Sequence, residues 1–357
     1  MPRRTATLLA STLTLIALLC VALLTPTPYS EMSPGPTVNT LGNYGGDTVI
    51  KISGHKTYPA TGHLNMTTVR VTGADYTMNL VEAVLGWVRH DDKVVEHDTL
   101  YRGQTAEQAD QQNAEEFSQS QDSAKVAALE ELHIPVGSRV IVAAVVKGGA
   151  SEGELHAGDV IKAVDGTEVK QAGQVAQLVT RHRPGERVDF SVIRVADAKK
   201  ADAEPQTVTV TTRTSDDDGP ARAVVGIQAG VDHTFPFTID IKLADVGGPS
   251  AGMMFALGIV DKLTPGSLTG GRFVAGTGTI DDSGSVGPIG GISLKTIGAR
   301  DKGAKFFLTP ADNCAEAAKD VPGGLTLVKV KTLHDAVAAL DDIRSGDTSA
   351  LPSCSRN

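Results

Sequence analysis

The chain has 357 residues, of which 41% are hydrophobic, and a formal net charge of −9. This length predicts two or three domains, and an acidic chain without a basic stripe interleaved with aromatic residues argues against nucleic acid as a partner. The histidines form no HExxH pattern, and neither paired CxxC motifs nor a GxxxxGK[ST] loop occurs. The sequence therefore predicts no metal site, no cofactor and no ATP hydrolysis.

The first thirty residues have the pattern of a membrane anchor. Arg3 and Arg4 precede the uncharged residues 7–24, which are just numerous enough to cross a bilayer as a helix. A cleaved secretory signal is the alternative, but the stretch runs into LTPTPYS without a clear small-x-small cleavage site. Because arginines stay inside, we expect residues 1–30 to be a cytoplasmic tip and a single-pass anchor in the cell membrane, with the rest of the chain extracytoplasmic.

The cysteines are compatible with that side of the membrane. Cys20 lies in the anchor, which leaves Cys314 and Cys354 beyond it. An oxidising compartment permits a disulfide. The sequence leaves open whether the two cysteines pair or remain thiols.

Residues 31–134 are predicted to be a β-rich region with a helical end. The end is rich in Ala, Gln and Glu, and Thr105 is a suitable helix cap there. We assign no function to its polar tract. The stretches are a turn-rich one at 33–42, β-like ones at 48–52 and 64–72, a helix or strand at 78–88, and one or two helices at 105–132.

Residues 135–213 form a second unit. A β run is followed by the stretch GELHAGDVIKAVDGTEV, a helix-like run and two further strands. Asp165-Gly166, flanked by strand residues, is a hairpin signal. This order resembles a bacterial PDZ domain, which implies a groove between a strand and a helix where an extended peptide adds to the sheet. Before the first strand, residues 134–137 read IPVG rather than the usual Gly-Leu-Gly-Phe form.

An acidic linker at 215–219 leads to a third unit at 221–345, and a tail follows at 346–357. Ser250 falls in GGPSAG, between a strand-like run and the apolar, helix-like residues 251–263. A serine there can cap the helix or act as a nucleophile near the free N–H groups of the first turn.

GPSAG also satisfies the G-x-S-x-G pattern of α/β-hydrolases, which need a later histidine. His334, beside Asp335, is the candidate. The strand-helix repeats are too few for that fold, so we do not favour this interpretation.

The motifs in the third unit resemble the proteolytic domain of Lon proteases. GGPSAG is followed by Thr-Gly-Thr-Ile at 277–280, by Pro-Ile-Gly-Gly at 288–291 and then by Lys295. The resemblance implies that Ser250 is the nucleophile, that Lys295 is its general base and that Thr277 is a hydroxyl bonded within the dyad. It also implies a supporting and oxyanion-binding region at Thr277, Gly248 and Ala251.

Two positions depart from the Lon pattern, because Gly247 replaces an Asp and Thr279 replaces a Glu. The ATPase half is also missing, and an anchor and a PDZ-like domain stand in its place. The arrangement looks like the membrane-anchored, PDZ-containing Lon-like serine proteases. For Lys295 to act as a base its pKa must be lowered, and burial on the apolar face of a helix would lower it.

The sequence thus predicts a multidomain α/β protein. It contains a transmembrane helix, a β-rich N-terminal region, a PDZ-like β-barrel domain and a Lon-type α+β proteolytic domain. We expect an ATP-independent serine endopeptidase with a Ser-Lys dyad that acts on exported or membrane proteins. Its partners would be peptide or unfolded protein substrates and the membrane, and the Lon resemblance makes a homo-oligomer a candidate state. The alternative is an inactive, protease-like scaffold that binds peptides.

Overall fold

The computed structural model describes residues 3–89, 91–198, 200, 202–215, 220–244 and 246–355. The chain folds into two compact units. One contains Met1–Ile134 together with Phe237–Asn357, and the other contains Pro135–Pro236. The second unit is therefore inserted into the sequence of the first.

The N-terminal part of the first unit contains both strands and helices. In chain order its elements are α1 Arg3–Leu24, β1 Tyr29–Asn39, β2 Asn43–Tyr44, β3 Asp47–Thr48, β4 Ile50–Ser53, β5 His63–Val71, α2 Leu80–Val88, β6 Lys93–Glu96, α3 His97–Tyr101 and α4 Ala106–Glu131.

The inserted unit is mainly β. Its elements are β7 Gly137–Val145, β8 Val160–Val164, β9 Thr167–Glu168, α5 Ala172–Val179, β10 Arg187–Ile193, β11 Gln206–Thr211, β12 Arg213–Thr214, β13 Ala223–Val224 and β14 Ile227–Thr234.

The C-terminal part completes the first unit. Its elements are β15 Thr238–Ile241, α6 Gly252–Leu263, β16 Phe273–Gly276, β17 Thr279–Ile280, β18 Val286–Gly287, α7 Ile292–Asp301, β19 Phe306–Pro310, a short 3₁₀ turn Ala311–Asn313, α8 Cys314–Ala317, β20 Thr326–Val330 and α9 Leu333–Ser345.

A six-stranded sheet joins the two parts of the first unit. Its order is β20-β19-β16-β5-β1-β6. The strands from β20 to β5 run parallel, and β1 pairs antiparallel with β5 and β6. The sequence divided this region into separate segments at 31–134 and 221–345. The structure divides it differently, because strands from both segments pair edge to edge.

Strand β1 was predicted only as an extended, turn-rich segment. It carries Pro34 and Pro36, which lack the N–H that a ladder needs, and its register with β5 shifts between Pro34 and Thr37. Gly35 lies so close to β5 that an added Cβ would stand 2.3 Å from the Thr68 Oγ1. The stretch is nevertheless an inner strand of the sheet, which the proline content concealed.

Helix α6 is the central helix of the first unit. Eleven of its residues, between Gly252 and Leu263, are buried. This is expected for a helix that is apolar on all sides. Phe255 on α6 meets Phe117 of α4 edge to face, with ring centroids 5.8 Å apart. This packing fixes the position of the turn that precedes α6.

The inserted unit contains a sheet in the order β11-β10-β8-β7-β14, with β9 paired to β8. Asp165 and Gly166, with φ of 48° and 73°, form the turn between β8 and β9 that the sequence predicted. Strand β14 pairs along its length with β7, so the division between units falls at Pro236 rather than before residue 221. In the predicted linker 215–219, residues 216–219 lie outside the described residues.

Two features concern the ends of the chain. Helix α1 is apolar enough and, with 22 residues, long enough to cross a membrane, and none of its residues is buried. Near the other end, a disulfide joins Cys314 to Cys354. It ties down the predicted tail, where Ser353 also bridges to Val328 of β20.

Candidate active site

Ser250 lies in the turn that leads into α6, where it is partly exposed. Gly248 has a φ of 79°, a left-handed conformation that favours glycine. The turn ends at Ala251, directly before α6 begins. The hydroxyl of Ser250 is therefore presented beside the N-terminus of a buried helix.

Lys295 approaches Ser250 from helix α7. Its Nζ lies 2.7 Å from the Ser250 Oγ, and only 3% of the residue is exposed. Burial lowers the pKa of Lys295 from 10.5 to about 7, because removal from water disfavours the ammonium form. Lys295 can thus be neutral near physiological pH, as a proton acceptor must be.

Thr277 completes the contacts around the amine. Its Oγ1 lies 3.0 Å from the Lys295 Nζ and donates to the carbonyl of Ser250 at 2.9 Å. The Gly278 N–H donates to the same carbonyl at 2.9 Å. Thr277 is fully buried. The structure thus brings together Ser250, Lys295 and Thr277, which the sequence singled out.

Helix α4 supports the serine turn, and the sequence analysis assigned it no function. The Asn113 carbonyl accepts a hydrogen bond from the Gly248 N–H at 3.0 Å, and the Ser120 hydroxyl donates to the Pro249 carbonyl at 3.0 Å. A Cβ at Gly247 would stand 2.9 Å from the Asn113 Cβ. This close approach explains why Gly247 carries no side chain where Lon proteases have an Asp. No motif in α4 signals this role.

The two other predicted site residues are Gly248 and Ala251, which lie in the serine turn on either side of Pro249 and Ser250. The Gly248 N–H is engaged by Asn113, as described above. The N–H groups of Gly252 and Met253 donate to the carbonyls of Pro249 and Gly278 at 3.5 and 3.2 Å. Ala251 is buried and adjoins Ser250 at the helix start.

His334, the candidate of the α/β-hydrolase interpretation, lies on α9 with its side chain 79% exposed. Its Nδ1 is 2.9 Å from the Glu131 Oε1, and this hydrogen bond raises the pKa of His334. The group that contacts the Ser250 hydroxyl is Lys295 instead. His334 is thus an exposed residue that is hydrogen-bonded to Glu131, and not a catalytic residue.

The inserted unit has a separate groove of about 830 Å³ beside α5. Its lining includes Ala176 and Val179 from α5 and Ile227 and Ala229 from β14, one of the two edge strands of the sheet. The short loop before this strand consists of residues 225–226, which follow β13. The sequence placed the corresponding loop at 134–137. That prediction was wrong, because those residues lead into β7, an inner strand flanked by β8 and β14. Three basic residues, Lys147, Arg213 and Arg222, also line the groove.

Two segments of the chain match known protein families. Residues 244–342 match the Lon protease (S16) C-terminal proteolytic domain, and residues 109–212 match the PDZ domain. The second match starts within α4, which packs in the first unit.

Similar proteins include three curated Lon proteases. Lon protease of Azospirillum brasilense is 39% identical over 93 residues, which are 25% of this chain and 11% of that protein. Lon protease 1 of Sorangium cellulosum is 38% identical over 101 residues, 28% of this chain and 12% of that protein. Lon protease 2 of Bacillus subtilis is 35% identical over 98 residues, 28% of this chain and 17% of that protein. The chain thus spans less than a fifth of each of these relatives.

Among solved structures, the PDZ domain of an SdrC-like protein from Listeria monocytogenes is 21% identical and has a TM-score of 0.21, covering 26% of this chain and 86% of that one.

The family matches confirm the two resemblances found in the sequence and support a serine peptidase. Behind its apolar N-terminal helix, the chain therefore contains a PDZ domain and a proteolytic domain of the Lon protease (S16) family.

Proposed function

We propose that this protein is an ATP-independent serine endopeptidase in which Ser250 is the nucleophile and Lys295 the general base. The observation that carries the proposal is the 2.7 Å distance between the Lys295 Nζ and the Ser250 Oγ at a buried amine whose pKa is lowered to about 7. A serine hydroxyl is a weak nucleophile until a base takes its proton. A neutral, buried lysine at hydrogen-bonding distance meets that requirement.

The reaction begins when the Ser250 Oγ attacks the scissile carbonyl carbon and its proton passes to the Lys295 Nζ. The tetrahedral intermediate then collapses, the C–N bond breaks and the Lys295 ammonium returns the proton to the departing amine. Water, deprotonated by the neutral Lys295, attacks the acyl ester, and the Ser250 Oγ leaves as it regains a proton from Lys295. No nucleotide or metal takes part in these steps.

Two neighbours support the chemistry. Thr277, which contacts both the Lys295 Nζ and the Ser250 carbonyl, orients the amine toward the serine. The Ala251 N–H is our candidate donor to the developing oxyanion. The N–H groups of Gly248, Gly252 and Met253 already donate to carbonyls of the protein, which makes them poorer candidates.

We place the catalytic unit outside the cytoplasm, on the far side of the anchor α1. The Cys314–Cys354 disulfide favours this placement, because disulfides persist in oxidising compartments. Arg3 and Arg4 precede the apolar segment, and basic residues stay on the cytoplasmic side. The substrates would then be exported or membrane proteins.

The PDZ domain would recruit those substrates. An extended peptide can add to the edge strand β14 while its side chains enter the groove beside α5. The basic lining residues Lys147, Arg213 and Arg222 favour a segment with negative charge, such as a C-terminal carboxylate. This gives the groove a role in delivery and leaves cleavage to Ser250.

The test is hydrolysis of fluorescently labelled casein by the full-length chain in detergent, with no nucleotide added. We expect wild type to cleave it and both Ser250→Ala and Lys295→Ala to be inactive. Lys302→Ala is the matched control, since Lys302 lies just beyond α7 and is exposed, and it should retain activity, as should His334→Ala.

Two results would count against the proposal. Full activity of Ser250→Ala would place the nucleophile elsewhere. An inactive wild type, with the PDZ groove still binding peptide, would favour the protease-like scaffold instead.

A further inference from the structure

Helix α2 has an unusual distribution of side chains. The residues that face the protein are small, namely Ala83 and Gly86, which are buried. The exposed residues are large and apolar: Leu80, Val84, Leu85, Trp87 and Val88. A surface helix of a globular protein normally shows the reverse arrangement.

The close packing of the inner face explains the orientation. A Cβ at Gly86 would stand 2.6 Å from the Val94 Cγ2 of β6, so α2 can lie against β6 only with its glycine side inward. The capping box between Asn79 and Glu82 fixes where the helix starts. Trp87 and Val88 are consequently 56% and 79% exposed.

The exposed face is a continuous apolar stripe. Leu80, Val84, Trp87 and Val88 have the spacing i, i+4, i+7 and i+8, which places them on one side of a helix. The one charged residue in the sequence LVEAVLGWV is Glu82. Its carboxylate is engaged by the Asn79 N–H and by the Tyr76 hydroxyl, and it does not interrupt the stripe. A patch of this kind marks an interaction surface.

The position of α2 indicates what covers the stripe. Helix α1 ends at Leu24, and two residues later Pro26 bridges to Asn79, the residue that caps α2. The Thr27 N–H donates to the Met78 carbonyl at 2.8 Å. The chain therefore leaves α1 at the point where α2 begins.

An aromatic pair joins the start of β1 to α2. Tyr29, at the start of β1, meets Trp87 edge to face with ring centroids 5.4 Å apart. Tyrosine and tryptophan are enriched at the boundary between hydrocarbon and water, where their rings are apolar and their N–H and O–H groups remain hydrated.

We infer that α2 is an interfacial helix whose Leu80, Val84, Trp87 and Val88 side chains enter the outer leaflet of the membrane that α1 crosses. Such helices lie in the plane of the interface with the apolar face turned toward the acyl chains. Together α1 and α2 would hold the first unit at two points and restrict its rotation about the anchor. This inference rests on the proposed membrane anchoring and does not depend on peptidase activity.

Trp87 reports directly on this contact because it is the single tryptophan of the chain. The full-length protein would be reconstituted into phosphatidylcholine vesicles, with or without bromine near the headgroup end of the acyl chains, and its insertion checked by flotation. We expect the brominated lipid to quench most of the Trp87 emission and aqueous acrylamide to quench little of it.

A charged variant and a matched control make the test specific. Val84→Glu combined with Val88→Glu changes exposed residues, so the fold should persist, and we expect it to remove lipid quenching and restore acrylamide quenching while flotation through α1 is unchanged. Val321→Glu introduces one such charge at an exposed valine elsewhere in the first unit and should behave as wild type.

Three results would overturn the inference. In the first, acrylamide quenches wild-type Trp87 fully and bromolipid does not, which would leave the stripe in water. In the second, neither agent quenches it, so that a second copy or another protein covers the stripe. In the third, the protein fails to float with the vesicles, which removes the anchor and the interfacial helix together. Casein hydrolysis by the same preparation separates each result from failure of the proposed peptidase.

Discussion

The carbonyl oxygen of Asn113 accepts a hydrogen bond from the Gly248 N–H at 3.0 Å, and it thereby ties helix α4 to the turn that presents Ser250. The Ser120 hydroxyl makes a second contact to this turn, at the Pro249 carbonyl. The proposed nucleophile is thus positioned by a helix that lies more than a hundred residues earlier in the chain and ends just before the inserted unit begins.

Gly247→Ala tests this support. The added Cβ would meet the Asn113 Cβ at 2.9 Å, so the turn or α4 must shift. We expect kcat for casein to fall about tenfold to a hundredfold, because small displacements of a reacting group have effects of that size.

Asn113→Gly removes the opposing Cβ and is the second variant of a double-mutant cycle with Gly247→Ala. Gly247→Ala combined with Asn113→Gly should recover most of the lost kcat, although glycine within a helix costs about 1 kcal/mol of stability. Equal losses in the single and double variants, measured as kcat on folded protein, would show that the two positions do not act through this contact.

The groove of the PDZ domain is tested by Ala176→Arg. Ala176 is exposed and lines the groove, so a large charged side chain there should obstruct it without disturbing the core. We expect a higher KM for casein and unchanged kcat/KM for a short peptide that reaches Ser250 directly. Gln177→Arg, at the next exposed position, is the control and should leave both unchanged. An equal effect on the short peptide would contradict a role limited to recruitment.

The disulfide is tested by Cys354→Ser. Cross-linking residues 40 positions apart restricts the unfolded chain, and the loss should lower the free energy of unfolding by about 2–4 kcal/mol. Urea unfolding of the full-length chain in detergent, followed by circular dichroism, measures the change. Cys20→Ser alters an exposed, unpaired cysteine and should have no effect. An unchanged midpoint for Cys354→Ser would mean that the bond does not form in solution.

The sequence located the chemistry better than the architecture around it. Ser250, Thr277 and Lys295 could be predicted because they stand in short motifs with fixed order, and these three side chains meet in the structure. Strand β1 could not, because its prolines indicate a turn while its pairing with β5 and β6 is decided by residues far away in sequence. The same long-range pairing unites two segments that the sequence kept apart.

One local feature was missed and one local prediction was wrong, for a similar reason. The support from Asn113 operates through a backbone carbonyl, which every residue possesses and no motif reports. The loop of the PDZ groove was assigned to residues 134–137 because they precede the first strand of that domain. In the structure the edge strand that lines the groove is β14, the last strand of the unit in sequence. The order of strands in space cannot be obtained from periodicity alone.

The dependence of kcat/KM on pH tests the proposed dyad most directly. Burial lowers the pKa of Lys295 to about 7, so its neutral form is scarce below this value and dominant above it. We predict that kcat/KM of the full-length chain on an unstructured peptide rises through one ionisation near pH 7 and is level above it. Arginine stays protonated and cannot accept the proton of Ser250. Lys295→Arg should therefore lower kcat/KM about 10²- to 10⁴-fold at every pH. Turnover by Lys295→Arg close to that of wild type, or a rate that keeps climbing toward pH 10, would contradict a Ser250–Lys295 dyad.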